Sequence, residues 1–192
     1  MKILFISLGC DKNLADSEEM LGLLTGNGHE IVDSEEEADA IVINTCCFIH
    51  DAKEESVNTI LEMAEYKKTG TCKILIVTGC MAQRYKEEIT EEIPEVDAVL
   101  GTTSYGDIVK ALNEAEAGHV FQEFKDINAL PEDSGRRVIT TGGHFGYLKI
   151  AEGCDKHCTY CIIPSLRGKF RSVPEERLLK QAEYMASQGV RE

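Results

Sequence analysis

Cys154, Cys158 and Cys161 stand at C-x3-C-x2-C spacing in the run Cys-Asp-Lys-His-Cys-Thr-Tyr-Cys, directly after the apolar stretch 147–151. Three thiolates this close together suit iron–sulfur ligation, and a four-iron cluster takes four ligands when every iron is closed. With three supplied locally, one iron is left open to bind something else, much as a catalytic zinc keeps an open position. The arrangement therefore points to chemistry at a cluster more than to a structural clamp. A zinc knuckle or a set of disulfides is the bland alternative. Zinc would normally bring a fourth Cys or His at recurrent spacing. His157 lies between two of the thiols, where it cannot easily close the same site.

The elements that must position these residues read as alternating strands and helices. Apolar strands are expected over 2–8, 29–32, 40–44, 73–78 and 97–100. Between them fall helices: one that Asp16 and Glu19 start as a capping box and that runs to about Asn27, then 52–68, 83–93 and 104–117. Gly28, Gly70, Pro94 and Gly118 stand where helices stop. Continuous apolar strands between helices mean a parallel sheet covered on both faces, so residues 1–125 are expected to form a doubly wound, flavodoxin-like α/β domain. Residues 126–143 carry turn residues and little periodicity and are expected to be a linker. Residues 144–192 then give one strand, the three-cysteine loop and a helix over 174–188. This single βα unit cannot bury its own faces, so the chain is expected to be a fragment of a longer protein.

The other cysteines sort by position. Cys10, Cys46 and Cys80 each fall just past a strand, and in a parallel sheet those positions share the carboxyl edge, where ligands bind. Three thiols from distant sequence would then converge, and a second metal site is favoured over three unrelated buried cysteines. Gly9 and Gly79 suit tight turns that let backbone approach a ligand. A flavin or phosphate site at the same edge is the weaker alternative, because no Gly-rich phosphate loop follows the first strand. Cys72 precedes its strand and belongs to the opposite edge; Cys47 reads as a small buried residue.

Eight cysteines without a secretory signal favour metal binding over disulfides and a cytoplasmic location. No apolar run approaches a membrane span. A net charge of −14 argues against nucleic acid as partner and suits a basic protein, although acidic balance alone also keeps a protein soluble. The stretches 33–37 and 87–92 read as solvated acidic faces. Asp11, Lys12 and Asn13, beside Cys10, either orient a ligand or are ordinary turn residues. Arg167, Lys169 and Arg171 form a small basic group that either contacts a ligand or substrate or, on the safer reading, is a solvated charged loop. No Ser/His/Asp triad or paired carboxylates stand out, and chemistry on an unactivated C–H bond would belong to a cofactor.

Taken together, these motifs resemble those of the radical S-adenosylmethionine (SAM) methylthiotransferases. The resemblance rests on the three-cysteine signature with Tyr160, on Leu-Gly-Cys-Asp-Lys-Asn at 8–13 with Asp-Ser-Glu at 16–18, on Asn-Thr-Cys at 44–46, on Thr-Gly-Cys at 78–80 and on Tyr-Leu-Lys-Ile-Ala-Glu-Gly-Cys at 147–154. It covers essentially the whole chain. Gly-Cys-Asp-Lys-Asn resembles the RimO branch, which modifies a ribosomal protein, whereas the tRNA-modifying MiaB branch usually shows Gly-Cys-Gln-Met-Asn. Cys47 stands where the family often has a small residue such as Gly.

The resemblance implies that Cys154, Cys158 and Cys161 hold a [4Fe–4S] cluster whose open iron is chelated by SAM, with Tyr160 near the adenine. Reduction would cleave SAM to a 5′-deoxyadenosyl radical that removes hydrogen from the β-carbon of an aspartate in a small-subunit ribosomal protein. It implies that Cys10, Cys46 and Cys80 hold a second [4Fe–4S] cluster carrying or supplying the sulfur, and that an electron-donor protein takes part. It also implies that 144–192 begin a partial (β/α) barrel, so the chain alone is expected to lack turnover. A tRNA methylthiotransferase and a non-catalytic metal-binding module remain the alternatives.

Overall fold

The computed structural model describes residues 1–132 and 135–192. Six strands form one sheet: β1 (Lys2–Ser7), β2 (Glu30–Val32), β3 (Ala40–Thr45), β4 (Ile74–Gly79), β5 (Ala98–Leu100) and β6 (Phe121–Glu123). Their order is β2-β1-β3-β4-β5-β6, and every pairing is parallel. This is the doubly wound order of flavodoxin-type folds, with its switch point between β1 and β3, extended by β6 at one edge. The short β6, followed by polar turn residues, was not expected from the sequence.

All six residues of β3 and all six of β4 are buried. Successive side chains leave a strand on opposite faces, so these strands are apolar over 40–43 and 74–77 and carry polar side chains only toward their carboxyl ends, at Asn44, Thr45 and Thr78. Ile41, Ile43, Leu75 and Val77 pack beneath α2 (His50–Thr69), α3 (Cys80–Arg84) and α4 (Lys86–Glu92). Ala40, Val42, Ile74 and Ile76 pack beneath α1 (Asp11–Gly26) and α5 (Ile108–Glu116). The helix expected over 83–93 is two helices that meet at Tyr85, and the one expected over 104–117 opens with a 3₁₀ turn, Tyr105–Asp107.

α1 begins six residues earlier than a capping box at Asp16 would place it. Its N-cap is Cys10, and Asp16, Glu18 and Glu19 lie buried inside the helix. Asp16, Met20 and Leu24 follow at four-residue steps, so the acid shares the stripe that faces the core.

Beyond the sheet, the described residues of 126–143 form no helix or strand and run against α1: Val138 donates its N–H to the Glu18 carbonyl, and Arg137 pairs with the Glu18 carboxylate at 2.5 Å. Asp133 and Ser134, within the expected linker, lie outside the described residues. The strand expected over 147–151 is reduced to β7 (Ala151–Glu152), paired antiparallel with β8 (Arg171–Ser172). A barrel strand needs parallel neighbours, and among the described residues β7 has only β8. Between them a short helix, α6 (Ile163–Arg167), is followed after β8 by α7 (Glu175–Ser187).

α6 docks into the sheet domain. Leu166 is 1% exposed inside the cluster formed by α2, α3 and the sheet, and its carbonyl accepts the Thr102 hydroxyl at 2.7 Å. Leu179 on α7, by contrast, is 56% exposed. Leu166→Ala should therefore cost about 2–5 kcal/mol in urea unfolding, the range for emptying a well-packed leucine site. Leu179→Ala should stay within about 0.5 kcal/mol of the parent. Equal effects would mean that α6 is not part of the core.

Candidate functional site

The register of the sheet brings three strand ends level. Ser7 pairs with Asn44, and Asn44 and Thr45 pair with Thr78 and Gly79. The next residues, 8–10, 46 and 80, therefore emerge together at the carboxyl edge, beside the switch point. Gly9 has φ +97°, and a Cβ there would stand 2.7 Å from the Cys46 Cβ; Gly79 has φ +94°, and a Cβ would stand 2.3 Å from Asn44 Oδ1. Only glycine fits both the backbone angle and the crowding.

Cys10, Cys46 and Cys80 line one cavity of about 740 Å³ at this edge. Cys154, the first cysteine of the local triplet, lines the same cavity, with Phe48 and Ile49 as an apolar lip. Cys158 is exposed, Cys161 is half-buried, and neither borders the cavity. The Cys161 N–H donates to the Cys158 carbonyl at 3.0 Å, and His157 between them has φ +48°, so the loop curls tightly. Tyr160 is 90% exposed. All eight cysteines are free thiols.

Cys47 and Cys72 stay out of this set. Cys47 is buried against α3, where its thiol donates to the Cys80 carbonyl, and burial pushes its pKa up to about 11. Cys72 lies at the opposite edge, buried, with its thiol on the Ile74 carbonyl.

Among the described residues no group of three or more His, Cys, Asp and Glu side chains stands close enough to hold a single metal ion. That geometry leaves room for a cluster, whose own irons and sulfides stand between its thiolates. Several cysteine thiols, a roomy cavity and an apolar lip fit an iron–sulfur group.

Behind the cavity lies a set of buried charges that the sequence did not disclose. Arg167, read as part of a solvated loop, is 3% exposed. Its guanidinium pairs with Asp16 at 2.7 Å and Glu152 at 3.3 Å, and donates to Asn13 Oδ1 at 2.5 Å. Lys149 pairs with Asp16 and, at 2.7 Å, with Glu152. Burial alone would depress Lys149, but its acid neighbours, Asp16 foremost, hold it above the usual lysine value. Asn13 is the hub: its amide donates to the Leu8 and Thr45 carbonyls, joining the ends of β1 and β3. The Cys80 thiol faces its Oδ1 at 3.8 Å. Lys12 reaches the Ala151 carbonyl at 2.7 Å.

Residues 2–101 match the Uncharacterized protein family UPF0004. The chain belongs to that family. It is also 64% identical along its whole length to the ribosomal protein uS12 methylthiotransferase RimO of Lachnoclostridium phytofermentans, and 50% identical to the protein of the same name from Clostridioides difficile. The Acetivibrio thermocellus RimO is 49% identical over 198 aligned residues. The chain spans 43–44% of the length of these relatives. Six strands in one parallel sheet with helices on both faces bear out the expected α/β fold.

One further acid bounds the charged set. Glu19 accepts the Tyr105 hydroxyl at 3.1 Å, and burial pushes its carboxyl above the usual range against the pull of Lys149. Below the unfolded carboxyl's pKa of about 4.3, both states hold the proton. As pH rises the unfolded chain releases its proton first, so the folded state loses ground. Glu19→Gln should therefore gain stability relative to the parent as pH rises above about 4.3, read from urea midpoints. A difference that does not change with pH would show that Glu19 titrates alike in both states.

Proposed function

We propose that this chain forms the cluster-binding part of a radical SAM methylthiotransferase that adds a methylthio group to the β-carbon of an aspartate in ribosomal protein uS12. The observation that carries the reading is the cavity shared by Cys10, Cys46, Cys80 and Cys154. It supports one cluster on the three strand-end cysteines and a neighbouring one on Cys154, Cys158 and Cys161. On this reading residues 1–125 are the N-terminal methylthiotransferase domain, 126–143 the connection and 144–192 the start of the radical SAM domain. The setting is the cytoplasm, with an electron-donor protein as partner.

When bound, the Cys154/Cys158/Cys161 cluster supplies reductive cleavage of SAM, and the Cys10/Cys46/Cys80 cluster supplies sulfur. The chain's own residues do the rest. Gly9 and Gly79 make the turns that present the strand-end thiols. Phe48 and Ile49, 55% and 56% exposed, give the cavity an apolar lip that disfavours water. Tyr160 offers an uncovered ring for the adenine of SAM. A net charge of −14 favours encounter with a basic ribosomal protein.

The test is iron and sulfide per chain in the anaerobically reconstituted full-length protein, followed by transfer to a uS12 peptide. About eight irons are expected, falling to about four when either cysteine triplet is replaced by alanine. Either replacement should abolish methylthiolation of the aspartate. Zinc in place of iron would return the chain to a metal-binding module. A methylthiolated tRNA with an unmodified peptide would overturn the substrate.

A further inference from the structure

Arg167 lines the cavity with Cys10, Cys46 and Cys80, although it lies on the far side of the cysteine loop in sequence. It donates to Asn13 Oδ1, the same atom that the Cys80 sulfur faces at 3.8 Å. Its place is fixed from three sides, by Asp16, Glu152 and Asn13. Asn13 itself is locked to the ends of β1 and β3. The backbone just past Arg167 also holds the other cluster loop, since the Cys154 N–H donates to the Gly168 carbonyl at 3.1 Å. One short turn thus sends a cation to the strand-end thiols and a carbonyl to the local triplet.

We propose that Arg167 sets the reduction potential of the cluster held by Cys10, Cys46 and Cys80, acting as a fixed buried positive charge against its thiolates. This rests on the function proposed above. An electron added to the cluster without a proton makes it one unit more negative. A guanidinium that cannot turn away favours that reduced form and raises the potential, because net charge and hydrogen bonds to sulfur are the protein's chief means of tuning such clusters. Water would screen an exposed lysine, but a guanidinium 3% exposed is screened far less. Asp16 has the opposite sign on the same contact. It offsets part of the guanidinium's charge, so the two side chains pull the potential in opposite directions. The charged groups facing Arg167 are Asp16 on α1, Glu152 on β7 and, through those acids, Lys149.

The experiment uses the full-length protein carrying Cys154/Cys158/Cys161→Ala, so that one cluster site is left. Iron per chain and an anaerobic dithionite titration followed by electron paramagnetic resonance are measured for Arg167→Met, Arg167→Lys and Asp16→Asn. Arg167→Met keeps both acids paired to Lys149 and should lower the midpoint. Arg167→Lys should restore part of the shift. Asp16→Asn should raise it. A side chain that only braces the fold would move the two midpoints in the same direction or not at all, and either result overturns the proposal. If Arg167→Met fails to retain iron, Asp16→Asn decides alone: a midpoint that is unchanged or lower sinks it. A parent that takes up no iron in this background would instead remove the strand-end cluster, and with it the function proposed above.

Discussion

The ion pair between Asp16 and Arg167 is the contact on which the rest of the site depends. The two residues are 151 positions apart, and both are almost out of reach of water. A buried charge left alone is intolerable, so once α1 packs its Asp16 stripe against the sheet, a cation must arrive from elsewhere. It arrives from α6, with Lys149 as a second. Such pairs add little net stability, because desolvation consumes most of the attraction. What they do is restrict geometry, since only one docking of α6 satisfies both acids and both bases. That docking seats Leu166 in the core and brings Cys154 to the cavity of the strand-end cysteines.

Asn13 connects this charge set to the sheet. Its amide can reach two carbonyls at once only because β1 and β3 are neighbours whose ends are level. The connections that follow β1 and β3 leave for opposite faces of the sheet, α1 on one and α2 on the other, which opens a crevice there, and in this chain the crevice holds thiols instead of a phosphate loop. The first helix turn supplies Cys10 as N-cap and Asn13 as clamp, so one turn both donates a candidate ligand and fixes the distance to the next strand.

Much of this was legible in the sequence because parallel sheets leave a plain record. Strands buried on both faces read as continuous apolar runs, and 40–43 and 74–77 are such runs. The cysteines that follow them could then be placed at one edge without any local motif. The charged core was not legible, for a physical reason. Arg167 sits among Arg171 and Lys169, and composition cannot tell a buried guanidinium from a solvated one when its partner lies 151 residues away. Asp16 and Glu19 fit a capping box by spacing, and only the buried stripe Asp16, Met20, Leu24 contradicts it. Lys149 inside the apolar run 147–151 gave no clue either, because its neighbours Leu148 and Ile150 are exposed while the lysine itself is covered by its acid partners. The same run is strand only at its end, because strand pairing is a property of neighbours, which a sequence pattern does not supply.

The overall charge also misleads about the site. A chain at −14 would be expected to repel an anionic group, and a thiolate-bound cluster is one. Yet the acids of 33–37 and 87–92 are at the surface, where salt and water screen them, whereas Arg167 and Lys149 are held behind the cavity in a medium that screens poorly. Asp16 and Glu152 pair with these cations, but of the four side chains only Arg167 borders the cavity, so its charge stands nearest the thiols. The acidic exterior and the buried ion pairs then serve separate ends: the first can steer a basic partner, while the second places Arg167 at the strand-end thiols.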